Sequence, residues 1–148
     1  MSAQKIQFKI VTPERTVYES EIDQATLPIA DGEVTILPNH QSYIGALKAG
    51  NIMIKKGGEE INLAVSGGFV EFNANMLTVL ADTAERAEEI DLKRAEEAKI
   101  KAEEAMKQRE QMDDAEYARV AAEIERATAR LKVARKHSTK KGINISQD

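Results

Sequence analysis

Residues 52–65 read IMIKKGGEEINLAV, in which apolar side chains recur at every second position on either side of Gly57 and Gly58. The apolar positions are Ile52 and Ile54 before the glycines and Ile61, Leu63 and Val65 after them. A period of two is typical of a strand with one buried face, and glycine readily adopts the positive φ values that a two-residue hairpin turn requires. This stretch therefore predicts a β-hairpin.

The same alternation continues through the first half of the chain. Residues 5–10 place Ile6, Phe8 and Ile10 on one face. Further strands are predicted at 24–27, 33–37, 68–72 and 76–81. All three prolines and seven of the eight glycines precede residue 69, as expected for short strands joined by turns. We therefore predict an antiparallel β-sandwich or barrel over residues 1–88.

The second half has a helical composition. Residues 69–141 contain neither proline nor glycine, and residues 85–148 contain twelve alanines. Asp91 and Asp113 are suitable N-caps for two successive helices. We predict an antiparallel two-helix hairpin over residues 89–148, with arms each about 33 Å long, and an α+β fold for the whole chain.

Two apolar stripes are expected to face each other in this hairpin. One follows Ala95, Ala98, Ala102, Ala105 and Met112, and the other follows Tyr117, Val120, Ile124, Ala127, Leu131 and Ala134. Residues 85–116 hold 12 acidic and 7 basic residues (net −5), whereas residues 117–148 hold 3 acidic and 8 basic residues (net +5). Because exposed ion pairs contribute only ~0.2–1 kcal/mol each, this attraction favours a closed hairpin without locking it.

The sequence predicts no catalytic or metal site. There is no cysteine, which excludes disulfides, thiol nucleophiles and cysteine-ligated zinc, and the two histidines lie far apart in sequence. His40, Ser66 and Asp82 could form a hydrolase triad, but Ala64 stands where a nucleophile elbow requires glycine. With no apolar stretch long enough to cross a bilayer and no secretory pattern at the N-terminus, we expect a soluble, intracellular protein.

Basic side chains are expected to gather on the closed hairpin. If the turn centres near residues 113–114, then Arg94, Lys101, Arg126 and Arg130 lie along one part of it. Such a cluster repels itself unless negative charge compensates it. Two alternatives remain open: the acids Glu97, Glu123 and Glu125 compensate the cluster, or a polyphosphate anion is held between the arms.

Five stretches resemble the epsilon subunit of bacterial F-type rotary ATP synthases, in an order and spacing that cover almost the whole chain. They are VTPER (11–15), DGEVTILPNH (31–40), SGGFVE (66–71), TVLADTAER (78–86) and IDLKRA (90–95). The resemblance implies a non-catalytic rotor subunit of the central stalk, which couples rotation of the c-ring to the catalytic head. It also implies a proton-translocating complex, with this chain peripheral to the cytoplasmic face of the bacterial cell membrane.

The resemblance further implies partners for each domain. The sandwich would bind the gamma subunit and sit on the c-ring, with Glu33 and His40 as contact positions, although a buried or turn-stabilising role is an equal alternative for His40. The hairpin would fold against the sandwich or extend along gamma to the alpha and beta catalytic subunits. In the extended form it would inhibit ATP hydrolysis.

Some bacterial members of this family bind ATP on the folded hairpin as a regulatory ligand, through an I-D-x-x-R-A motif. The residues that match the motif and its partners here are Ile90, Asp91, Arg94 and Ala95, together with Glu85, Arg126 and Arg130. Lys101 occupies the position of a further family arginine, and lysine lacks the planar, bidentate guanidinium. The resemblance therefore implies a regulatory ATP site and no required cofactor.

Overall fold

The computed structural model of the chain describes residues 3–140 as eight strands followed by two helices. The strands are β1 (Ile6–Val11), β2 (Thr16–Ile22), β3 (Gln24–Ile29), β4 (Gly32–Ile36), β5 (Tyr43–Lys56), β6 (Glu59–Asn73), β7 (Met76–Ala81) and β8 (Ala84–Arg86). The helices are α1 (Leu92–Met106) and α2 (Asp114–Lys140), with 3₁₀ turns at Ala87–Glu89 and Arg109–Gln111. The predicted α+β fold, a β-sandwich followed by a helical hairpin, is confirmed.

The hairpin predicted from residues 52–65 is present as β5 and β6. These strands pair antiparallel, with Ile54 opposite Ile61 and Lys56 opposite Glu59. Gly57 (φ 56°) and Gly58 (φ 82°) form the turn in conformations that residues with a Cβ rarely adopt. Within residues 52–65, the largest fully buried side chains are those of Ile52, Ile54, Leu63 and Val65.

The strands follow the order β2-β1-β7-β6-β5-β3-β4, and β8 pairs with β6. Strand β1 lies antiparallel to β2 but parallel to β7, so the predicted antiparallel sandwich contains a parallel pairing. Ile6, Phe8 and Ile10 are each at most 1% exposed, which confirms their shared inward face. Together with the inward residues of the other strands they form the main core of the molecule.

A bend at Gly67 and Gly68 lets β6 pair with β8 before the bend and with β7 after it. The strand pairs with β8 through residues 63–65 and with β7 from Gly68 onwards. Gly67 (φ 127°) and Gly68 (φ 134°) both have positive φ, and a Cβ on Gly68 would overlap the carbonyl oxygen of Leu80. The two strands predicted on either side of this pair are therefore one continuous strand with a glycine bend.

The helical arms differ in length, in contrast to the equal arms predicted. At ~1.5 Å per residue, the 15 residues of α1 span about 22 Å and the 27 residues of α2 about 40 Å. Helix α1 ends early because residues 107–111 are all polar and exposed, so no apolar face is available to continue the packing. Neither helix within residues 3–140 is long and apolar enough to cross a membrane.

The seam between the helices follows the predicted stripes, except that Ala98 and Tyr117 are exposed and Ala105, Met112 and Ile124 are only half-buried. The buried members are Ala95, Ala102, Val120, Ala127, Leu131 and Ala134. Ala98 is exposed, and Tyr117 lies at the turn end of the hairpin with the Arg109 guanidinium 3.6 Å from its ring centre. The contact face of α1 is therefore centred on Ala95 and Ala102, and it fades towards the turn.

Helix α2 also packs against the sandwich. Val133 is fully buried against Ala64 of β6 and Ala87, with Ile90 packed beside them. This cluster is small compared with the sandwich core, and its members are mostly alanine. The hairpin is therefore folded onto the sandwich through a limited apolar contact, which is supplemented by ion pairs.

Candidate functional site

A cleft of about 430 Å³ lies between the sandwich and α2. Three segments contribute its walls: the loop between β1 and β2, the residues that join β7 to β8, and one face of α2. The lining residues are Thr12, Glu14, Arg15, Asp82, Thr83, Ala84, Glu85, Arg126 and Arg130. Three arginines and three carboxylates therefore face one concave surface at the boundary of the two domains.

Glu85 and Arg130 form the central ion pair of the cleft. The Arg130 Nε donates to Glu85 Oε2 at 2.6 Å, and Nη2 donates to Oε1 at 3.1 Å. Glu85 is positioned by β8, where it lies opposite Ala64 of β6, and the Glu85 and Arg130 side chains are only 32% and 23% exposed, respectively. A bidentate pair in this setting orients both groups, because a planar guanidinium matches the two carboxylate oxygens.

Arg126 and Arg15 complete the positive side of the cleft. Within the described part of the chain, Arg126 has no carboxylate partner at ion-pair distance. Arg15 donates to Glu89 Oε2 at 3.1 Å. Partial burial acts to raise the pKa of Glu89, but hydrogen bonds from the Arg86 amide and the Arg15 guanidinium outweigh it and lower that pKa. Glu89 therefore stays ionised and ties the β1–β2 loop to the start of the hairpin.

The four residues of the I-D-x-x-R-A motif do not line this cleft. Asp91 caps α1, accepting a hydrogen bond from the Arg94 amide at 3.0 Å. The Arg94 side chain is 83% exposed and lies 3.9 Å from Asp91, whereas Ala95 is buried in the helix seam and Ile90 packs beside the Val133 cluster. Of the seven predicted ligands, the structure brings together Glu85, Arg126 and Arg130.

The predicted basic cluster is therefore divided. Arg126 and Arg130 share the cleft, while Arg94 and Lys101 are exposed and absent from its lining. The partner of Arg130 is none of the acids expected to compensate it, since Glu85 has that role and Glu123 lies 3.5 Å from Arg119.

Six of the nine lining residues were not predicted as ligands of this site: Thr12, Glu14, Arg15, Asp82, Thr83 and Ala84. They belong to the VTPER and TVLADTAER stretches, which supported the family resemblance without indicating that these segments face the hairpin.

The residues considered as a hydrolase triad have other partners. Ser66 Oγ accepts a hydrogen bond from Thr83 at 2.6 Å, and the His40 ring lies 2.8 Å from the carbonyl oxygen of Gln41. His40 is half-buried, edge-on to Phe72 at 5.9 Å between ring centres. Across residues 3–140, no group of three or more potential metal-ligating side chains is assembled.

An apolar row crosses the outer face of β5, β6 and β7. Phe69 lies opposite Ala46 on one side and Leu80 on the other, and Ile44 extends the row along β5. Ile44, Phe69 and Leu80 are 77%, 62% and 55% exposed. Contiguous exposed apolar side chains on one sheet face are typical of a protein–protein contact surface.

Comparison with known proteins identifies similar chains for both domains. The family model described as the ATP synthase delta/epsilon chain, beta-sandwich domain, matches residues 5–87, and the corresponding long alpha-helix domain matches residues 88–135. The chain is 45% identical over 130 residues to the ATP synthase epsilon chain of Herpetosiphon aurantiacus, covering 88% of this chain and 94% of the relative. It is 46% identical over 132 residues to that of Dehalococcoides mccartyi, covering 89% and 94%.

A solved structure shares the fold. A chain of the Euglena gracilis mitochondrial ATP synthase, in a cryo-EM structure of its OSCP, F1 and c-ring, superposes with a TM-score of 0.73. That match covers 88% of this chain and 81% of the other at 22% identity, which extends the similarity in fold across both domains.

Proposed function

Because the chain belongs to the ATP synthase epsilon chain family, we propose that it is a non-catalytic rotor subunit in the central stalk of a proton-translocating F-type ATP synthase. The sandwich couples rotation of the c-ring to the catalytic head, and the hairpin restrains ATP hydrolysis. The complex holds the chain at the cytoplasmic face of the bacterial cell membrane as a peripheral subunit. The observation that carries this proposal is the apolar row of Ile44, Ala46, Phe69 and Leu80 on the sandwich.

The gamma subunit is the proposed occupant of that apolar row. Removing apolar surface from water favours association, and a row that crosses three hydrogen-bonded strands is a rigid platform for a stalk that transmits torque. Glu33 is exposed in β4 and Leu37 is 50% exposed just after it. These two residues, with the neighbouring His40, form the proposed contact with the c-ring.

Co-purification with gamma tests the docking surface. The double variant Phe69→Glu/Leu80→Glu is expected to reduce recovery of gamma at least tenfold, because it places two charges in the centre of the contact. Met76→Glu is the matched control, since Met76 is 59% exposed on the same strand as Leu80 but lies about 13 Å away along it. Undiminished recovery of gamma by the double variant would show that the row is not the gamma contact.

Restraint of ATP hydrolysis is assigned to the hairpin in an extended form. The limited contact of Val133 with Ala64 and Ala87 supports this, because a helix held by few apolar atoms is released at a modest free-energy cost. Once released, the basic side chains of α2 are available to acidic surfaces on the alpha and beta subunits.

A reversible cross-link tests this assignment. The chain has no cysteine, so Ala64→Cys/Val133→Cys introduces a single pair of thiols within the contact that attaches α2 to the sandwich. Oxidation in the assembled synthase is expected to raise ATP hydrolysis, and reduction to restore the restraint. Each single-cysteine variant is the control, and equal hydrolysis in the oxidised and reduced double variant would contradict the assignment.

ATP is the proposed regulatory ligand of the folded hairpin. Its triphosphate would lie against Arg126 and Arg130, with Glu85 on the same side, while Ile90, Asp91, Arg94 and Ala95 at the start of α1 would hold the remainder of the nucleotide. A ligand that binds the folded form alone stabilises it by RT ln(1+[L]/Kd), about 2.7 kcal/mol at a hundredfold excess over Kd. The lack of an ion-pair partner for Arg126 within residues 3–140 supports a phosphate contact there.

A further inference from the structure

Glu60 lies beneath the last turns of α2 and receives two lysines from that helix. Lys136 Nζ is 3.0 Å from Glu60 Oε1, and Lys140 Nζ is 2.8 Å from Oε2. Lysines four residues apart lie on the same helix face, so both reach a single carboxylate. The Glu60 side chain is 22% exposed, which makes this contact less accessible to water than most other ion pairs between the described residues.

The β5–β6 hairpin holds this carboxylate in place. Asn62 Nδ2 donates to Glu60 Oε1 at 3.2 Å, and Asn51 Nδ2 donates to Asn62 Oδ1 at 2.8 Å. Asn62 is 4% exposed, so its amide is fixed by the surrounding strands. Lys136 Nζ also lies 3.7 Å from the sulfur of Met53 on β5. The carboxylate is therefore pre-oriented towards the helix, which lowers the entropy cost of forming both ion pairs.

Glu60 is placed to attach the C-terminal end of α2 to the sandwich. The apolar contact of the helix with the sandwich is centred on Val133, and Lys136 and Lys140 extend beyond it towards the end of the described chain. Without the Glu60 charge, two ammonium groups one helical turn apart would face Lys55, which lies opposite Glu60 in the strand register. Like charges at this spacing repel.

We propose that Glu60 is the clasp by which the sandwich holds the C-terminal end of α2, and that it sets the fraction of molecules in which the hairpin is released. This inference rests on the proposed function, since a clasp regulates activity only if the released hairpin acts on the catalytic subunits. In the isolated chain, a single carboxylate on β6 governs the opening of α2.

Hydrogen exchange on the isolated full chain tests the clasp. Glu60→Gln keeps the shape of the side chain and removes its charge, so the amides of residues 133–140 are expected to exchange roughly 2- to 30-fold faster, as for the loss of two partly exposed ion pairs. Glu59→Gln is the matched control, because Glu59 is the adjacent exposed acid on β6. Equal exchange in the two variants would overturn the proposal.

A second variant removes the charges on α2 that pair with Glu60. Lys136→Gln/Lys140→Gln is expected to accelerate the same amides to a similar extent, and adding Glu60→Gln to it is expected to produce little further change, because the partners are already lost. Additive effects of the two changes would show that Glu60 and the lysines act independently, contrary to the proposal.

The clasp and the proposed function fail in different experiments. The exchange measurement requires neither gamma nor the catalytic subunits. If Glu60→Gln accelerates exchange but leaves ATP hydrolysis by the assembled synthase unchanged, the clasp stands and the regulatory role of the hairpin fails. If exchange is unchanged, the clasp fails whatever the synthase does.

Discussion

The Glu85 carboxylate and the Arg130 guanidinium connect residues 45 positions apart through two hydrogen bonds, of 2.6 and 3.1 Å. This pair joins the last strand of the sandwich to the middle of α2 and also forms part of the cleft between them. Docking of the hairpin and the proposed binding of an anion therefore depend on the same guanidinium. A ligand that takes Arg130 must either replace Glu85 or share the arginine with it.

Replacing Glu85 by Gln is expected to weaken docking of α2 by about 1 kcal/mol, because one charged partner of a partly exposed bidentate pair is lost. Amide exchange in the middle of α2 measures this as a several-fold acceleration. Glu123→Gln is the control, since Glu123 pairs with Arg119 within α2 and not with the sandwich. No difference between the two variants would show that the pair contributes nothing to docking.

Replacing Arg126 by Ala is expected to reduce ATP affinity at least tenfold with little effect on folding, because Arg126 has no ion-pair partner among residues 3–140 and hydrogen bonds to charged groups contribute ~1.5–3 kcal/mol. Calorimetry of the full chain with ATP is the measurement. Arg119→Ala, on the same helix but outside the cleft lining, should bind as the unmodified chain does. Equal affinity in both variants would place the nucleotide elsewhere.

Replacing Gly68 by Ala is expected to destabilise the sandwich by more than about 2 kcal/mol, because the new methyl group would collide with backbone and the φ of 134° is strained for alanine. Gly32→Ala separates the two causes: its φ is 131°, but nothing lies within 4 Å of the added Cβ. Urea unfolding measures both. If the two variants lose equal stability, the close approach to Leu80 is unimportant.

Acid is expected to open the Glu60 clasp only at low pH. The Lys140 hydrogen bond, aided by Lys136 and Asn62, lowers the pKa of Glu60 from 4.5 to about 2 despite partial burial. Because the pKa is lower in the docked state, the stabilisation is complete above about pH 5 and disappears as pH falls towards 2. The difference in amide exchange between the unmodified chain and Glu60→Gln should therefore be full above about pH 5 and shrink as the pH falls towards 2. A difference that disappears above pH 5 would contradict the assigned pKa.

Local sequence signals predicted much of the fold. Three short signals each determined structure within a few residues. The glycines at 57 and 58 gave the hairpin turn, the alternation around Phe8 gave a strand with a buried face, and Asp91 before an alanine-rich run gave the helix cap. Strand β2 was not predicted, because TVYESEI does not alternate regularly and its pairing with β1 shifts register between Ile10 and Val11.

The candidate site was less predictable, because it depends on how the hairpin lies on the sandwich. Pairing the two helices in sequence brought Arg94 towards Arg130, yet Arg94 faces solvent and Arg130 turns to Glu85. Helical periodicity relates the two arms to each other but says nothing about the surface on which they rest. The boundary of the two domains at residues 88 and 89, and the ATP ligands at the start of α1, remain predictions.

The unequal arms of the hairpin determine how far its tail would move in the proposed extended form. Folded back, α1 keeps the turn within about 22 Å of its N-terminal end, whereas a continuous helix from Leu92 to Lys140 would extend roughly 70 Å at ~1.5 Å per residue. The polar residues 107–111 act as the elbow between these two lengths. If residues 107–111 became helical, the far end of the hairpin would lie more than three times as far from the start of α1 at the edge of the sandwich.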